Sequence, residues 1–196
     1  MSVSLKKGQK VSLTKESAGL SKVLIGLGWD EAAQGKKGLF SSKPKPIDCD
    51  ASAILLQNGK MVSKADVVYF GNLGHSSGMI QHMGDNLTGA GDGDDEQILV
   101  DLAGMPQQYD RIILVVNIYS AVKRGQHFGM IQNAYIRLVD ARTNNEMFKY
   151  NLTDDYSGMT AMIFGEVYRH NDEWKFNAIG QGTQDPALSN VVDRYR

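Results

Sequence analysis

A single cysteine, Cys49, in 196 residues leaves no partner for an internal disulfide, so the fold has to rest on packing alone. With it goes the expectation of an intracellular, cytoplasmic protein, since secreted domains lean on disulfides. Proline is scarce too, at four residues, and two of those four, Pro44 and Pro46, fall in one short stretch. Neither sign of charge is in excess: 21 Lys and Arg face 22 Asp and Glu for a formal net charge of -1, so nothing global attracts nucleic acid or an anionic membrane. No nucleic-acid partner is expected. Long apolar runs are missing as well; the longest, Ile112 to Val116, falls far short of the roughly 18 residues a membrane helix needs. The opening MSVSLKKGQKVSLTKESAG holds no apolar segment of signal-peptide length. There is no repeat of fixed period, no low-complexity tract and no second composition regime, and residues 1–196 read as one domain.

What is present is a period of two. In NAYIRLVD, Ala134, Ile136 and Leu138 share one face, with Tyr135, Arg137 and Val139 on the other, as in a half-buried strand. AMIFGEVYRHNDEWKFNAIGQG reads as a hairpin turning at Asn171-Asp172, with Met162, Phe164 and Tyr168 before the turn and Trp174, Phe176 and Ala178 after it. Further strands are expected at 10–14, 22–29, 49–57, 65–71, 79–83, 97–102, 110–119 and 146–152, most bounded by Gly, Asn or Asp. About ten strands exceed a small barrel and suit an all-β sandwich of two packed sheets. Helix is confined to short turns near 120–126 and after Pro186. Residues 30–48, with four lysines and two prolines, read as a long basic surface loop. The many methionines, Met79, Met83, Met105, Met130, Met147, Met159 and Met162 among them, read as gap-fillers of a β core.

Against this neutral background, GDNLTGAGDGDDEQ, residues 84–97, carries five carboxylates and no basic residue. Its glycines invite a phosphate-binding reading, but the dinucleotide pattern needs glycine where Asp94 stands, a Walker loop needs a Gly-Lys-Ser/Thr that is absent, and the charge repels phosphate. A cation uses the same features: Ca²⁺ takes about six to eight hard oxygens. Asp85, Asn86, Asp92, Asp94, Asp95 and Glu96 offer such oxygens, while the glycines let the backbone fold tightly. Zinc is disfavoured because the loop has neither His nor Cys, and the spacing is not that of an EF-hand, since counting from Asp85 puts Leu87 and Gly89 at ligand positions. The bland alternative is a solvated Asp/Gly turn, set against mutual repulsion of roughly 1 kcal/mol per close exposed pair. Strand alternation also places Asp48 and Asp50 on one face with Cys49 opposite, at the entry to an apolar strand, where they call for a cation or a basic partner. Asp30 fits the same edge or a turn that caps its own backbone.

GHSSG, residues 74–78, matches the Gly-x-Ser-x-Gly nucleophile pattern, but Ser76 would need a strand, a tight turn and a helix, and only MIQHM follows before Gly84. His75, His82, His127 and His170 show no metal-type pairing and read as surface or packing residues.

Taken in order, VLIGLGWD, DCDASAILL, VVYFGNL, GDNLTGAGDGDDEQ, VVNIY, NAYIRLVD and the closing hairpin resemble consecutive blocks of the TerD family of tellurite-resistance and stress-response proteins, across residues 22 to 182. Family members usually have Phe-Asp-Leu-Asp-Ala-Ser where this chain has Ile47-Asp48-Cys49-Asp50-Ala51-Ser52; both acids are kept. The resemblance implies a β-sandwich binding two calcium ions, with no established enzymatic activity. By motif, the ligand set it implies is Asp48, Asp50, Asp85, Asn86, Asp92, Asp94, Asp95 and Glu96. The expected function is a cytoplasmic, calcium-dependent binding or scaffold module of the stress response, partnered by calcium and by other proteins of the same system, with room for peripheral membrane association. Two other readings stand beside it: a metal-dependent hydrolase or phosphoryl-transfer enzyme using the acidic-loop cation, and an ion that only staples the loop.

Overall fold

The period-two pattern is realised as two six-stranded sheets in the computed structural model, which describes residues 2–31, 46–84, 93–171 and 173–196. The first sheet has the spatial order β1 (Val3–Leu5), β10 (Asn145–Asn151), β9 (Ile131–Asp140), β3 (Lys22–Glu31), β7 (Glu96–Asp101) and β6 (Ile80–His82). The second runs β2 (Lys10–Ser12), β12 (Glu173–Thr183), β11 (Ala161–His170), β8 (Arg111–Ile118), β4 (Cys49–Leu56) and β5 (Val67–Val68). All neighbours pair antiparallel except β1 and β10, which are parallel. The all-β sandwich expected from the sequence is the architecture found.

Alternation decides which residues fill the space between the sheets. Ile25 and Leu27 of β3, Ile98 and Val100 of β7, Ile136 and Leu138 of β9 and Phe176 and Ala178 of β12 all enter one buried cluster. Each such large side chain contributes roughly 1.5–3 kcal/mol by leaving water. The central strands β4 and β8 are buried on both faces. Their outward residues Ile54, Leu56, Ile113 and Val115 form a second cluster closed by Val191 and Val192 of α3 (Leu188–Val192). That is why 112–116 is an unbroken apolar run rather than an alternating one.

Four local expectations are corrected. The strand at 10–14 stops at Ser12, whose Oγ accepts from Lys15 N at 3.2 Å and caps α1 (Leu13–Glu16). The strand at 65–71 shrinks to β5, because Asp66 accepts the backbone N–H groups of Val62 (3.2 Å) and Ser63 (2.8 Å) and winds Lys64–Asp66 into a 3-10 turn. Tyr168 does not share a face with Met162 and Phe164: a bulge between Ile163 and Gly165 shifts the phase, so Val167 points inward and Tyr168 lies outside beside Arg111. Gly165 is required there, since a Cβ would meet the Phe176 ring at 2.7 Å and Asn177 O at 2.8 Å. Met83, expected in the core, is 53% exposed. The hairpin turn does sit at Asn171, with φ +52°, and short helices form at Ala121–Arg124 (α2) and in α3 as anticipated.

Candidate functional site

The acidic loop springs from the edge of the first sheet, between the end of β6 and the start of β7. Of the expected ligands, Asp85, Asn86 and Asp92 lie outside the described residues, as does most of the basic loop, 32–45. The other five can be placed.

Glu96 is the first residue of β7, not the last of the loop. It shares the inward face with Ile98 and Val100, and its side chain is fully buried. Its carboxylate crosses to the second sheet, where Oε2 accepts from Ala51 N on β4. The same oxygen lies 3.4 Å from His82 Nε2 on β6. His82 Nδ1 accepts from Gly84 N at 3.2 Å, while its Nε2 is buried and makes no hydrogen bond.

Asp50 stands on the outward face of β4, 4% exposed and in register with Asn117 of β8, whose Nδ2 donates to Asp50 Oδ2 at 3.4 Å. Asp48 precedes the strand; Arg124 Nη1 of α2 approaches its Oδ2 at 3.7 Å, and Asp48 O accepts from Tyr119 N at 2.7 Å. Between them Cys49 points into the core. Burial pushes its thiol well above the ordinary value, and the fields of Asp50, Glu96, Asp48 and Asp95, in that order, push it further. Four of the eight expected ligands therefore act on one buried sulfur. Asp95 Oδ2 accepts from Trp29 N at 2.8 Å. Burial raises the Asp95 carboxyl, the Trp29 bond opposes that rise, and Asp30 and Asp94 add to it. Asp30 itself accepts from Asn133 Nδ2 at 2.8 Å.

Asp94 is turned the other way. Its side chain is fully buried against the outer face of the first sheet, where Arg137 grips it with Nε at 2.6 Å and Nη2 at 2.9 Å. Gln97 Nε2 donates to it at 3.0 Å, and Tyr135 OH, which donates to Gly93 O at 2.7 Å, lies 3.2 Å from it. Burial and the Asp94 charge push the Tyr135 phenol up to about 12. Gly26 leaves the slot for this carboxylate, because a Cβ there would fall on Asp94 itself. The structure thus puts Asp50 on the outward face of β4 and Glu96 on the inward face at one corner of the sandwich, with Asp48 and Asp95 also within electrostatic reach of the Cys49 thiol, and pairs Asp94 with Arg137.

Among the described residues no three His, Cys, Asp or Glu side chains are close enough to hold a metal ion, so a cation at this corner would need ligands from 85–92 as well. The carboxylates here are hard-oxygen donors of the kind Ca²⁺ takes, with the His82 imidazole and the Cys49 thiol beside them. His82, Asn117, Arg124 and Arg137 were missed by sequence reasoning. A signal for Glu96 did exist: carrying the Ile98, Val100 alternation back by one step places Glu96 on the core face.

The GHSSG segment gives no nucleophile elbow. Ser76 is exposed in a turn that leads into β6 rather than a helix. Ser77, not Ser76, meets a histidine: its Oγ lies 2.7 Å from His75 Nδ1, which also accepts Ser77 N at 3.1 Å. On the far side of the ring, His75 Nε2 is 3.3 Å from Asp66 Oδ1, to which Tyr109 OH donates at 2.8 Å. These buried groups satisfy one another behind the turn. Among the described residues, no helix is long and apolar enough to cross a membrane.

The TerD domain model matches residues 1–195 of the chain. Stress response protein SCP2 of Bacillus subtilis (strain 168) is 52% identical over 200 residues, with 100% of both chains covered. Tellurium resistance protein TerD of Serratia marcescens is 48% identical over 196 residues, covering 100% of this chain and 97% of that protein. A crystal structure of a homologue of telluride resistance protein (TerD) from Streptomyces coelicolor A3(2) is similar at a TM-score of 0.63 and 21% identity, over 88% of this chain and 98% of that one, a likeness of fold alone.

Proposed function

Since the chain belongs to the TerD family over nearly its full length, a family of tellurium-resistance and stress-response proteins, we propose that it is a cytoplasmic calcium-binding module of that response, acting by calcium-dependent binding of partner proteins. The relatives' names denote resistance and stress response and indicate no enzymatic activity. In this reading the chain is a binding module, not an enzyme.

The observation that carries the proposal is the gathering of Asp48, Asp50, Glu96 and Asp95 about the buried Cys49, where the loop joins the sandwich. Like charges concentrated at a buried corner are costly unless opposed. Each of these carboxylates has partners in the protein, among them Arg124 at 3.7 Å from Asp48, His82 at 3.4 Å from Glu96, Asn117 Nδ2 at 3.4 Å from Asp50 and Trp29 N at 2.8 Å from Asp95, and a cation would add to these. Asp48, Asp50, Asp95 and Glu96 would hold the ions together with Asp85, Asn86 and Asp92, two ions being what the resemblance to the TerD family implies. Bound calcium would supply positive charge at this corner and order the loop. Glu96, anchored to Ala51 N, ties the first sheet to the second, so ordering at the loop is felt by β4 and by the surface it carries. Other proteins of the same response are the proposed partners.

Calorimetric titration of chelator-treated protein with Ca²⁺ and Mg²⁺ tests this directly. Two calcium ions per chain are expected, weak or absent magnesium binding, and a rise in Tm; ligands that bind only the folded form add about 2.7 kcal/mol at a hundredfold excess over Kd. The same Tm in chelator and in millimolar calcium would overturn the proposal.

A further inference from the structure

The outward face of the second sheet carries a cleft of about 530 Å³, walled by the 61–70 stretch around β5, by the end of β8 and by α3. The volume lies in the range of small-molecule sites. Its long sides are apolar, formed by Met61, Val67, Leu188 and Val192. Register gives it two unlike ends. Val67 pairs with Ile54 and Val68 with Ala53, so the chain after β5 advances along β4 toward Asp50, and Phe70 stands at the same end as Tyr119. Phe70 is 43% exposed and Tyr119 47%, which makes that end an aromatic mouth. Lys64 precedes Val67 and lines the opposite end. Four residues of β4 separate Ile54 from Asp50, which at about 3.3 Å per residue puts Lys64 roughly 13 Å or more from the Asp50 end.

Charge around the cleft is lopsided. The acids at its rim are answered by cations: Asp185 by Arg194 at 2.8 Å, Asp193 by Arg196 at 3.0 Å and Asp48 by Arg124 at 3.7 Å. Asp66 is buried and accepts from Val62 N, Ser63 N and Tyr109 OH. Asp50, also buried, accepts from Asn117 Nδ2 at the aromatic end, where the Arg124 guanidinium, 5.2 Å over the Tyr119 ring, opposes its charge. Lys60, Lys64 and Lys123 are exposed, and among the described residues none of them is in an ion pair. The face is thus positive by three surplus lysines in a chain of net charge -1, and Lys64 is the one that reaches the cleft. A surplus cation at one end of an apolar cleft selects an anion that carries an apolar body.

We propose that this cleft binds an amphipathic anion, a monomeric alkyl carboxylate, with its carboxylate on Lys64 Nζ and its chain running between Val67, Leu188 and Val192 toward Phe70 and Tyr119. The proposal goes beyond the calcium reading and places no contact on any of its ligands.

Decanoate and decylammonium, equal in length and opposite in charge, are the probes, titrated as monomers into the full chain with chelator present and followed by methyl NMR and calorimetry. Decanoate is expected to bind about tenfold more tightly, since an exposed charge at Lys64 favours one ion and disfavours the other by about threefold each. Octanoate is expected to bind roughly tenfold more weakly than decanoate, the scale of two methylenes leaving water. Lys64→Glu is expected to reverse the preference with an unchanged fold by circular dichroism, and Lys64→Gln to lower decanoate affinity about threefold. The methyl signals of Val67, Leu188 and Val192 are expected to shift. Equal affinity for the two ions, a preference that survives Lys64→Glu, or decanoate shifts that spare those three residues overturns the proposal. Co-sedimentation with phosphatidylglycerol vesicles and not with phosphatidylcholine vesicles, without saturable binding of monomeric decanoate, overturns it in favour of a bilayer surface. Because every titration is run without calcium, its failure is separate from the failure of calcium binding, which the metal titration reads alone.

Discussion

Replacing Arg137 by Met keeps the bulk of the side chain and removes the guanidinium that grips Asp94 through Nε at 2.6 Å and Nη2 at 2.9 Å. The Asp94 side chain is fully buried, whereas that of Arg137 is 31% exposed. Stranding a buried carboxylate costs about 3–5 kcal/mol where nothing else reaches it. Here Gln97 Nε2 still donates to Asp94, Tyr135 OH lies 3.2 Å from it, and water already reaches the guanidinium side, which argues for a cost below that scale, about 2–3 kcal/mol. For a chain of this size each kcal/mol moves Tm by roughly 2–4 °C, so a fall of about 4–12 °C is expected. The reciprocal change, Asp94→Asn, leaves a guanidinium that faces solvent and keeps Glu146 at 3.4 Å, and should cost less.

Urea and thermal unfolding of the two single variants and the double variant in chelator, with calcium titration of each, measure both the pair and its relation to the metal. The ion-pair reading predicts a coupling between the two sites in metal-free protein and no loss of calcium stoichiometry in Asp94→Asn. If Arg137→Met unfolds with wild-type Tm, while Asp94→Asn loses a bound calcium, then Asp94 is a ligand and its grip by Arg137 is incidental. Gly26→Ala probes the same slot from the other side. Its Cβ would collide with the Asp94 carboxylate, which the ion pair holds in place, so the variant should lose stability, and less of it in an Asp94→Ala background.

Two further outcomes follow from the electrostatics. Asp140 is buried and accepts Arg142 Nη2 at 2.7 Å, Arg142 Nε at 3.1 Å and Ser17 Oγ at 2.8 Å, and the Arg142 guanidinium foremost holds its carboxyl well below the usual carboxylate range. A depressed folded pKa stabilises above the unfolded value of about 3.9 and loses its effect as pH falls toward the folded value; Arg142→Ala should therefore lower Tm at pH 7 by an amount that shrinks below about pH 4, and a difference constant with pH would refute the linkage. Cys49 is 1% exposed and its thiol is raised by burial and by its acidic neighbours, so a thiol-disulfide reagent at mildly alkaline pH should find it silent in native protein and fully reactive in denaturant; rapid native labelling would contradict the placement.

The contrast between Glu96 and Asp94 shows how far the sequence carries the site. The strands were legible because a sheet with one buried face writes its period into the chain: Ala134, Ile136 and Leu138 were read on one face, and they do face the core. Glu96 was within reach of the same logic, one step upstream of Ile98, and was hidden only by its membership of an acidic run. Asp94, two residues earlier in that run, was beyond it, because its fate depends on Arg137, more than forty positions away. That pairing exists only because β3 aligns Gly26 opposite Arg137 on one side and Gln97 on the other. The same holds for Asp50, whose neighbour Asn117 is supplied by the register of β4 against β8. Local pattern settles which way a side chain points, and register settles what it meets. A cluster of carboxylates in sequence therefore predicts a charge density, while the division of that charge between an ion pair, an inter-sheet tie and the acidic start of β4 is a property of the sheets.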